Sequence, residues 1–383
     1  MIGLSDEQAS LRDSVRSLLA KRSDSAALRT AVRTERGFDE ALWAVLCDQI
    51  GVAALAVPER FGGLGAGPVE THVVLEELGR TLTPSPMLGS AVLAAQLLLA
   101  LGDDDACARL LPGIAAGESI AAVCWAGTVA PAPDVNPWSA QAAAIRADGP
   151  MLTGETFYVL DGDIADVLLV VARDGDGHLV VHEVDPQQDA VTAVHTPSMD
   201  LTRRLASVSF HGARGRAVPS SDPEAALALA RDRACVALSA EQVGAATRIF
   251  ERTVEYTKMR EQFGRPIGSF QALKHRMADL HVLLESARSA SYAAARGELL
   301  AAVAKVYCSE AFFTVAAEAI QLHGGIAITW EHDAHLYLKR AHSCAQLFGQ
   351  PRDHIPRLFA PAGITVDDTP FTSATPALTE ETG

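Results

Sequence analysis

Apolar positions recur at helical spacing over most of the chain and at strand spacing in its middle. Near the start, Leu11, Val15, Leu18 and Leu19 form one helical stripe. Ser5 stands ahead of it with Gln8 three residues on, the arrangement of a capping box. "DEALWAVLCDQIG" and "VETHVVLEELGRTL" predict two further amphipathic helices, joined by the loop "VPERFGGLGAGP". After residue 118 the pattern shortens to strand-length runs, "ESIAAVCWAG", "LTGETFYVL", "DVLLVVAR", "GHLVVHEV" and "LASVSFHG", bounded by Gly, Asp and Pro. Asp174 to Gly177, "DGDG", reads as a hairpin turn. Helical spacing returns at Asp222 and runs to about residue 360, and the last twenty residues have the composition of a mobile tail. The expectation is an α+β chain: a helical domain over 1–117, a β-barrel or sandwich over 118–222, a helical domain over 223–362 and a tail over 363–383.

Two glycine-marked interruptions stand out in the last helical part. Val236, Val243, Ala246, Ile249, Phe250, Val254 and Tyr256 keep roughly helical spacing, as do Leu273, Met277, Leu280, Leu283 and Leu284. Between them lie Gly264, Pro266 and Gly268, flanked by Arg260, Phe263 and Phe270. Proline inside a helix costs about 3 kcal/mol and glycine about 1, so two helices are expected with a true break between them. The second interruption is Gly324-Gly325, with a new helix expected near Thr329. Paired glycines let a ligand approach the backbone, and free N–H groups there suit an anion. A plain glycine C-cap accounts for the same pattern.

The formal net charge of -15 argues against sequence-independent nucleic-acid binding. Six cysteines without a CxxC pair argue against a disulfide framework or structural zinc. The N-terminal residues are charged throughout, unlike a secretory leader. The longest apolar run, around "GSAVLAAQLLLALG", is about 14 residues, short of the length that spans a bilayer. A cytoplasmic protein with no membrane span and no metal is expected. "GGLGAG" at 62–67 lacks GxGxxG spacing and a surrounding βαβ series. His332 and His335 lack HExxH spacing, and no serine lies in a GxSxG elbow.

The residues around both breaks resemble the signatures of the acyl-CoA dehydrogenases. "RxxFGxPIxxFQxxxxxxAD" is met by Arg260, Phe263, Gly264, Pro266, Ile267, Phe270, Gln271, Ala278 and Asp279. "QxxGGxG" is met by Gln321, Gly324 and Gly325, with Ala327 in place of the last glycine, and "VPERFGGLG" is similar to the family's VPExxGGxG. The resemblance covers nearly the whole chain. It implies an N-terminal helical domain, a middle β domain, a C-terminal four-helix bundle and FAD as cofactor. It also implies an oligomer, a dimer or tetramer, in which Arg260 reaches the diphosphate of a neighbouring subunit's FAD. Phe263, Gln271, Gln321, Gly324 and Gly325 would serve the same cofactor, and Tyr158, in the W-I-T-N-G position, would stack on the flavin. Leu160 cannot supply the threonine hydroxyl of that motif, and "CWAGTVAPAPD" keeps little of the family's T-E-P-x-A-G-S-D loop.

The implied reaction removes an α proton from an acyl-CoA thioester while the β hydride passes to FAD, so a carboxylate has to reach the α carbon. The family's two positions for it are Gly349 and Ala234 here. Glu241, two helical turns (about 10 Å) beyond Ala234 and among Leu238, Ala240, Val243 and Ala245, is the candidate base; a capping or salt-bridging role is the alternative, with Asp353 and Glu331 as weaker candidates. The leading expectation is a FAD-dependent dehydrogenase forming an α,β-unsaturated acyl-CoA of fatty-acid or steroid side-chain type, with an electron-transfer flavoprotein as acceptor. One alternative is a non-catalytic subunit of a heteromeric dehydrogenase, lending Arg260 and Gln321 to FAD held by a partner chain. The other is a flavin-dependent oxidase on the same fold.

Overall fold

The structure, a computed structural model, describes residues 3–127 and 136–359; the tail at 363–383 and most of the "CWAGTVAPAPD" segment lie outside them. The chain opens with α1 (Asp6–Arg22), whose N-terminus carries the capping box: Ser5 Oγ accepts from Gln8 N, and Gln8 Oε1 from Ser5 N. α2 (Ser25–Ala31), α3 (Glu40–Val45), α4 (Pro68–Thr81), α5 (Ala95–Leu101, entered through a π-helical turn at Met87–Ala94) and α6 (Asp104–Ala116) follow. The glycine-rich loop before α4 is tight for its own sake: a Cβ at Gly63 would lie 1.9 Å from the Val57 carbonyl oxygen.

The middle of the chain supplies β1 (Ala121–Cys124), β2 (Ile145–Asp148), β3 (Met151–Leu160), β4 (Val167–Arg173), β5 (Leu179–Val184), β6 (Val191–His195) and β7 (Leu205–Val218). β4, β2, β3, β7 and β5 pair in a closed cycle, with β1 parallel to β4 and β6 antiparallel to β7. Closure leaves few free edges, which suits runs such as Leu168–Ala172 that are apolar on both faces. The expected turn at Asp174 to Gly177 joins β4 to β5 as an antiparallel hairpin. β2 and β6 were not expected, being four and five residues long and half or more exposed.

Helices then return: α7 (Pro223–Met259), α8 (Gln271–Ala295), α9 (Ala301–His323), α10 (Ala334–Gln346) and α11 (Pro351–Phe359), with a two-residue ladder of β8 (Glu261–Gln262) and β9 (Arg265–Pro266) in the first glycine break. α7 is 37 residues long, about 55 Å at 1.5 Å per residue. α10 starts at Ala334, later than expected, because a turn over 329–333 follows the 3-10 segment Gly324–Ile328. α9 is apolar enough by length and composition to pass as a membrane span, yet it lies in the bundle against α7 and α8 and carries a fully buried Lys305. Lys305 Nζ donates to the Cys344 and Ala345 carbonyls at 2.7 and 3.2 Å, placing a cation at the C-terminal end of α10.

The N-terminal helices meet the bundle where α4 crosses α7, and glycines bring the two backbones into contact. A Cβ at Gly79 would lie 2.2 Å from the Glu241 carbonyl oxygen, and one at Gly244 would lie 1.9 Å from that of Glu76. Buried Glu76 then ties in α8, accepting from Arg288 and from the Tyr292 hydroxyl (2.7 Å), while Arg288 also donates to Thr247 Oγ1 at 2.9 Å. Gly244→Ala is expected to force α4 and α7 apart and lower stability by about 2–4 kcal/mol, in the range of overpacked cores. A thermal melt followed by circular dichroism checks this; an unchanged midpoint would show that the crossing tolerates a methyl group.

Candidate active site and cofactor face

The two glycine breaks come together at one end of the bundle. The Tyr256 hydroxyl, one turn before Arg260, donates to the His323 carbonyl at 3.2 Å, and the two rings stack with centroids 4.4 Å apart. Arg260 is exposed, and its guanidinium makes no hydrogen bond or ion pair among the described residues. Phe263 sits at φ 55° with its ring 92% exposed, edge-on to Phe270 at 6.2 Å, and Arg265 lies over the Phe270 ring at 4.0 Å. Gln321 is exposed beside the 3-10 turn, and a Cβ added at Gly324 or Gly325 would meet nothing within 4 Å. Gln271 lies on the first turn of α8, 3.5 Å from His275.

The Gly324 N–H is taken by the Ile320 carbonyl as the C-cap of α9. The donor set that fits a phosphate-bearing nucleotide approaching from outside is therefore a guanidinium and a carboxamide, beside glycine backbone with room for a ligand. Tyr158 is not part of it. With φ 56° it is half-buried at the end of β3 and lines a different cavity of about 330 Å³, with Trp138 and Met199 on one side and Lys339, His342 and Gly349 on the other.

Glu241 lies about 28 Å up α7 from Arg260, by the helical rise over nineteen residues, and the structure does not bring it to that face. Glu241 Oε2 accepts from Arg203, and from Arg340 at 3.2 Å; all three side chains are buried. Arg340, on α10, donates from Nε to Thr202 Oγ1 and from NH2 to the Thr202 carbonyl, both at 2.8 Å. Asp200 Oδ1 holds the turn between β6 and β7 by accepting from Thr202 N and Thr202 Oγ1. Glu241 is thus ion-paired through Oε2, the salt-bridging arrangement that the sequence left open, while its Oε1 makes no hydrogen bond among the described residues. The void beside it, about 20 Å³, holds about one water molecule. The weaker candidates fare no better: Asp353 Oδ2 accepts from Gln350 N at the start of α11, and Glu331 is exposed. At the family's other position, a Cβ on buried Gly349 would run into Asn136 and His354.

Sequence reasoning missed Arg203, Arg340 and Asp161, which wall the same void. Asp161 (φ 55°) is 8% exposed, and its carboxyl makes no hydrogen bond or ion pair among the described residues. Burial pushes its pKa up to about 7; Arg203 and Arg204 oppose the shift, and Asp163 and Glu241 add to it. Arg204 is itself bound to Asp163, while Arg36 and Arg340 also line the void.

The N-terminal domain model of the acyl-CoA dehydrogenases matches residues 5–118, and the C-terminal domain model matches residues 225–350. "Acyl-CoA dehydrogenase IpdE2" of Mycolicibacterium smegmatis is 43% identical over 359 residues, covering 93% of this chain and 99% of its own. Its namesake in Mycobacterium tuberculosis is 42% identical, covering 92% and 96%. Among solved structures, a variant of the Tcur3481-Tcur3483 steroid ACAD superposes with TM-score 0.81 at 28% identity, covering 94% of this chain and 98% of that one. The ChsE4-ChsE5 complex from Mycobacterium tuberculosis gives TM-score 0.82 at 26% identity, covering 95% and 99%.

An acid with a raised folded pKa contributes stability that is fully present below its unfolded value, near 4, and is lost as pH rises through about 7. Urea unfolding is therefore expected to show stability falling between pH 5 and pH 7 by about 3 kcal/mol, at about 1.4 kcal/mol per unit. Asp161→Asn, nearly isosteric and tolerant of positive φ, is expected to remove that part of the slope. A slope equal to that of the unsubstituted protein would locate the titration elsewhere.

Proposed function

This chain belongs to the acyl-CoA dehydrogenase family, and we propose that it serves as the lending subunit of a heteromeric, FAD-dependent enzyme that desaturates a bulky acyl-CoA thioester. The observation that carries this reading is the split between the two ends of α7. Arg260, Phe263, Gln321, Gly324 and Gly325 stand ready at the surface, whereas the interior around Glu241 is closed by Arg203 and Arg340.

In this reading Arg260 holds the FAD diphosphate with charge-assisted hydrogen bonds, and Gln321 with the Gly324-Gly325 backbone contacts the adenosine half. Phe263 covers the nucleotide, with its left-handed backbone turning the ring outward from the bundle. Bound FAD supplies the acceptor for the β hydride. The second chain supplies the isoalloxazine pocket and the carboxylate that takes the α proton, since here Gly349 and Ala234 carry none and Glu241 is ion-paired. Exposed apolar side chains around the lending face support a partner there: Met259 (74%), Ile328 (74%) and Trp330 (62%) would be covered by it. The relatives named as a steroid ACAD and as a two-component complex support a polycyclic acyl group and a heteromeric assembly. An electron-transfer flavoprotein is the acceptor that follows from the family chemistry.

The cavity of about 330 Å³ beside Tyr158 favours a second reading, in which this chain also cradles a flavin ring of its own. Absorbance near 450 nm separates the two. The chain alone is expected to be colourless and the co-purified pair yellow, bleaching anaerobically with substrate. Arg260→Met is expected to lower FAD affinity of the pair by about 10- to 100-fold, the weight of a charge-assisted hydrogen bond. A yellow single chain that acyl-CoA bleaches would overturn the lending role.

A further inference from the structure

A separate cavity of about 700 Å³ opens on another face of α7, away from both the lending end and the Glu241 cluster. Residues 234, 238 and 241 of α7 point toward the barrel and α10, whereas Leu229, Arg233, Val236 and Ala237 lie about 60° to 160° round the helix by the 100° step and line this cavity. Leu75 of α4 with Val92 and Leu99 of the α5 region complete an apolar wall, and the turn between α8 and α9 forms the rim. The volume lies inside the range of small-molecule sites, which pair a mainly apolar lining with a few placed polar groups.

The placed polar group is Arg233. Its NH1 donates to Gln96 Oε1 at 2.6 Å, and it forms no ion pair among the described residues. Arg233 is exposed at the cavity mouth, and the protein around it lowers its pKa by partial desolvation with no carboxylate opposing the shift. Its neighbour Asp232 does not serve it, because Arg357 holds both Asp232 oxygens at 2.7 and 2.6 Å. The half-buried arginines Arg80, Arg109, Arg252 and Arg288, by contrast, are paired with Glu251, Glu183, Asp333 and Glu76. The rim adds Arg296, whose NH2 donates only to the Gly3 carbonyl. Two polar atoms in the adjoining wall, Thr71 Oγ1 and His72 Nδ1, also have no partner among the described residues.

A guanidinium without a counter-ion at the mouth of an apolar cavity is complementary to one chemistry. We propose that this cavity binds an amphiphilic monocarboxylate, its apolar body against Leu75, Val92 and Val236 and its carboxylate on Arg233. One guanidinium without an ion-pair partner among the described residues matches a singly charged head. Bidentate guanidinium–carboxylate pairing then fixes the head at the cavity mouth. The site needs neither FAD nor the partner chain, so it stands or falls apart from the lending role.

Isothermal titration of the full chain with dodecanoate tests it, with dodecyl maltoside as an uncharged probe of the same chain length. Dodecanoate is expected to bind at micromolar concentration, at least tenfold more tightly than the maltoside. Arg233→Met is expected to weaken dodecanoate at least tenfold and leave the maltoside unchanged. Ala237→Phe, which fills the cavity, is expected to abolish binding; Leu229→Trp at the exposed rim gives the same test should the first variant not fold. Absence of dodecanoate binding, equal affinity for both probes, or binding that persists in both filled variants would each overturn the proposal.

Discussion

The backbone contact between α4 and α7 at Gly79 and Gly244 is the constraint on which the rest of the molecule depends. With the Glu241 carbonyl over Gly79 and the Glu76 carbonyl over Gly244, neither helix can rotate or slide without a backbone clash. That fixes which residues of α7 look inward. It also decides the fate of the charges at the crossing, since a buried carboxylate without partners costs several kcal/mol. Glu76 is satisfied by Arg288 and Tyr292 of α8 on one side, and Glu241 by Arg203 and Arg340 on the other. The crossing therefore sets the positions of the ion pairs, and the ion pairs attach the remaining elements to it.

Through Arg203 and Arg340 the barrel is attached to the bundle. Arg340 spans from Glu241 on α7 to the turn held by Asp200 and Thr202, and Arg203 brings that turn back onto α7 and Cys344. Lys305 fixes the other end of α10 by its carbonyls. A cluster of this kind is no great source of stability, because desolvation offsets much of the attraction. Its effect is on arrangement: a single geometry satisfies all the charges at once, and that geometry leaves about 20 Å³ of void where an apolar ligand would need far more.

Features set by local chemistry were legible in the amino-acid sequence. The capping box at Ser5 and Gln8, the turn at Asp174 to Gly177 and the break around Gly264 and Pro266 each depend on residues within a few positions of one another. The order of helical, β and helical parts was legible for the same reason. β2 and β6 escaped because four or five half-exposed residues carry too short an alternation to read. The start of α10 was misplaced because residues 329–333, which contain no glycine or proline, form a turn before the helix begins. Glu241 could be picked out as an odd carboxylate in an apolar run, but its partners lie 38 and 99 residues away. Nothing in the local pattern distinguishes a base from an anchor when the partner is that distant.

The lending face makes physical sense only as part of an assembly. Phe263 holds a left-handed backbone, a strain on the order of 1 kcal/mol for a bulky residue, and leaves its ring 92% in water. Met259, Ile328 and Trp330 nearby are likewise exposed, and Arg260 has no counter-ion. In the isolated chain none of these features returns free energy, since apolar surface stabilises only when it leaves water. Covered by a second subunit and a nucleotide, the same rings lose their contact with water and the guanidinium gains an anion. The interior around Glu241 differs: Arg203 and Arg340 are ion-paired inside the chain, while Arg203 Nε has no partner among the described residues. α7 thus acts as a strut, holding the exposed arginine and aromatic cluster at one end apart from the buried ion pairs along its length.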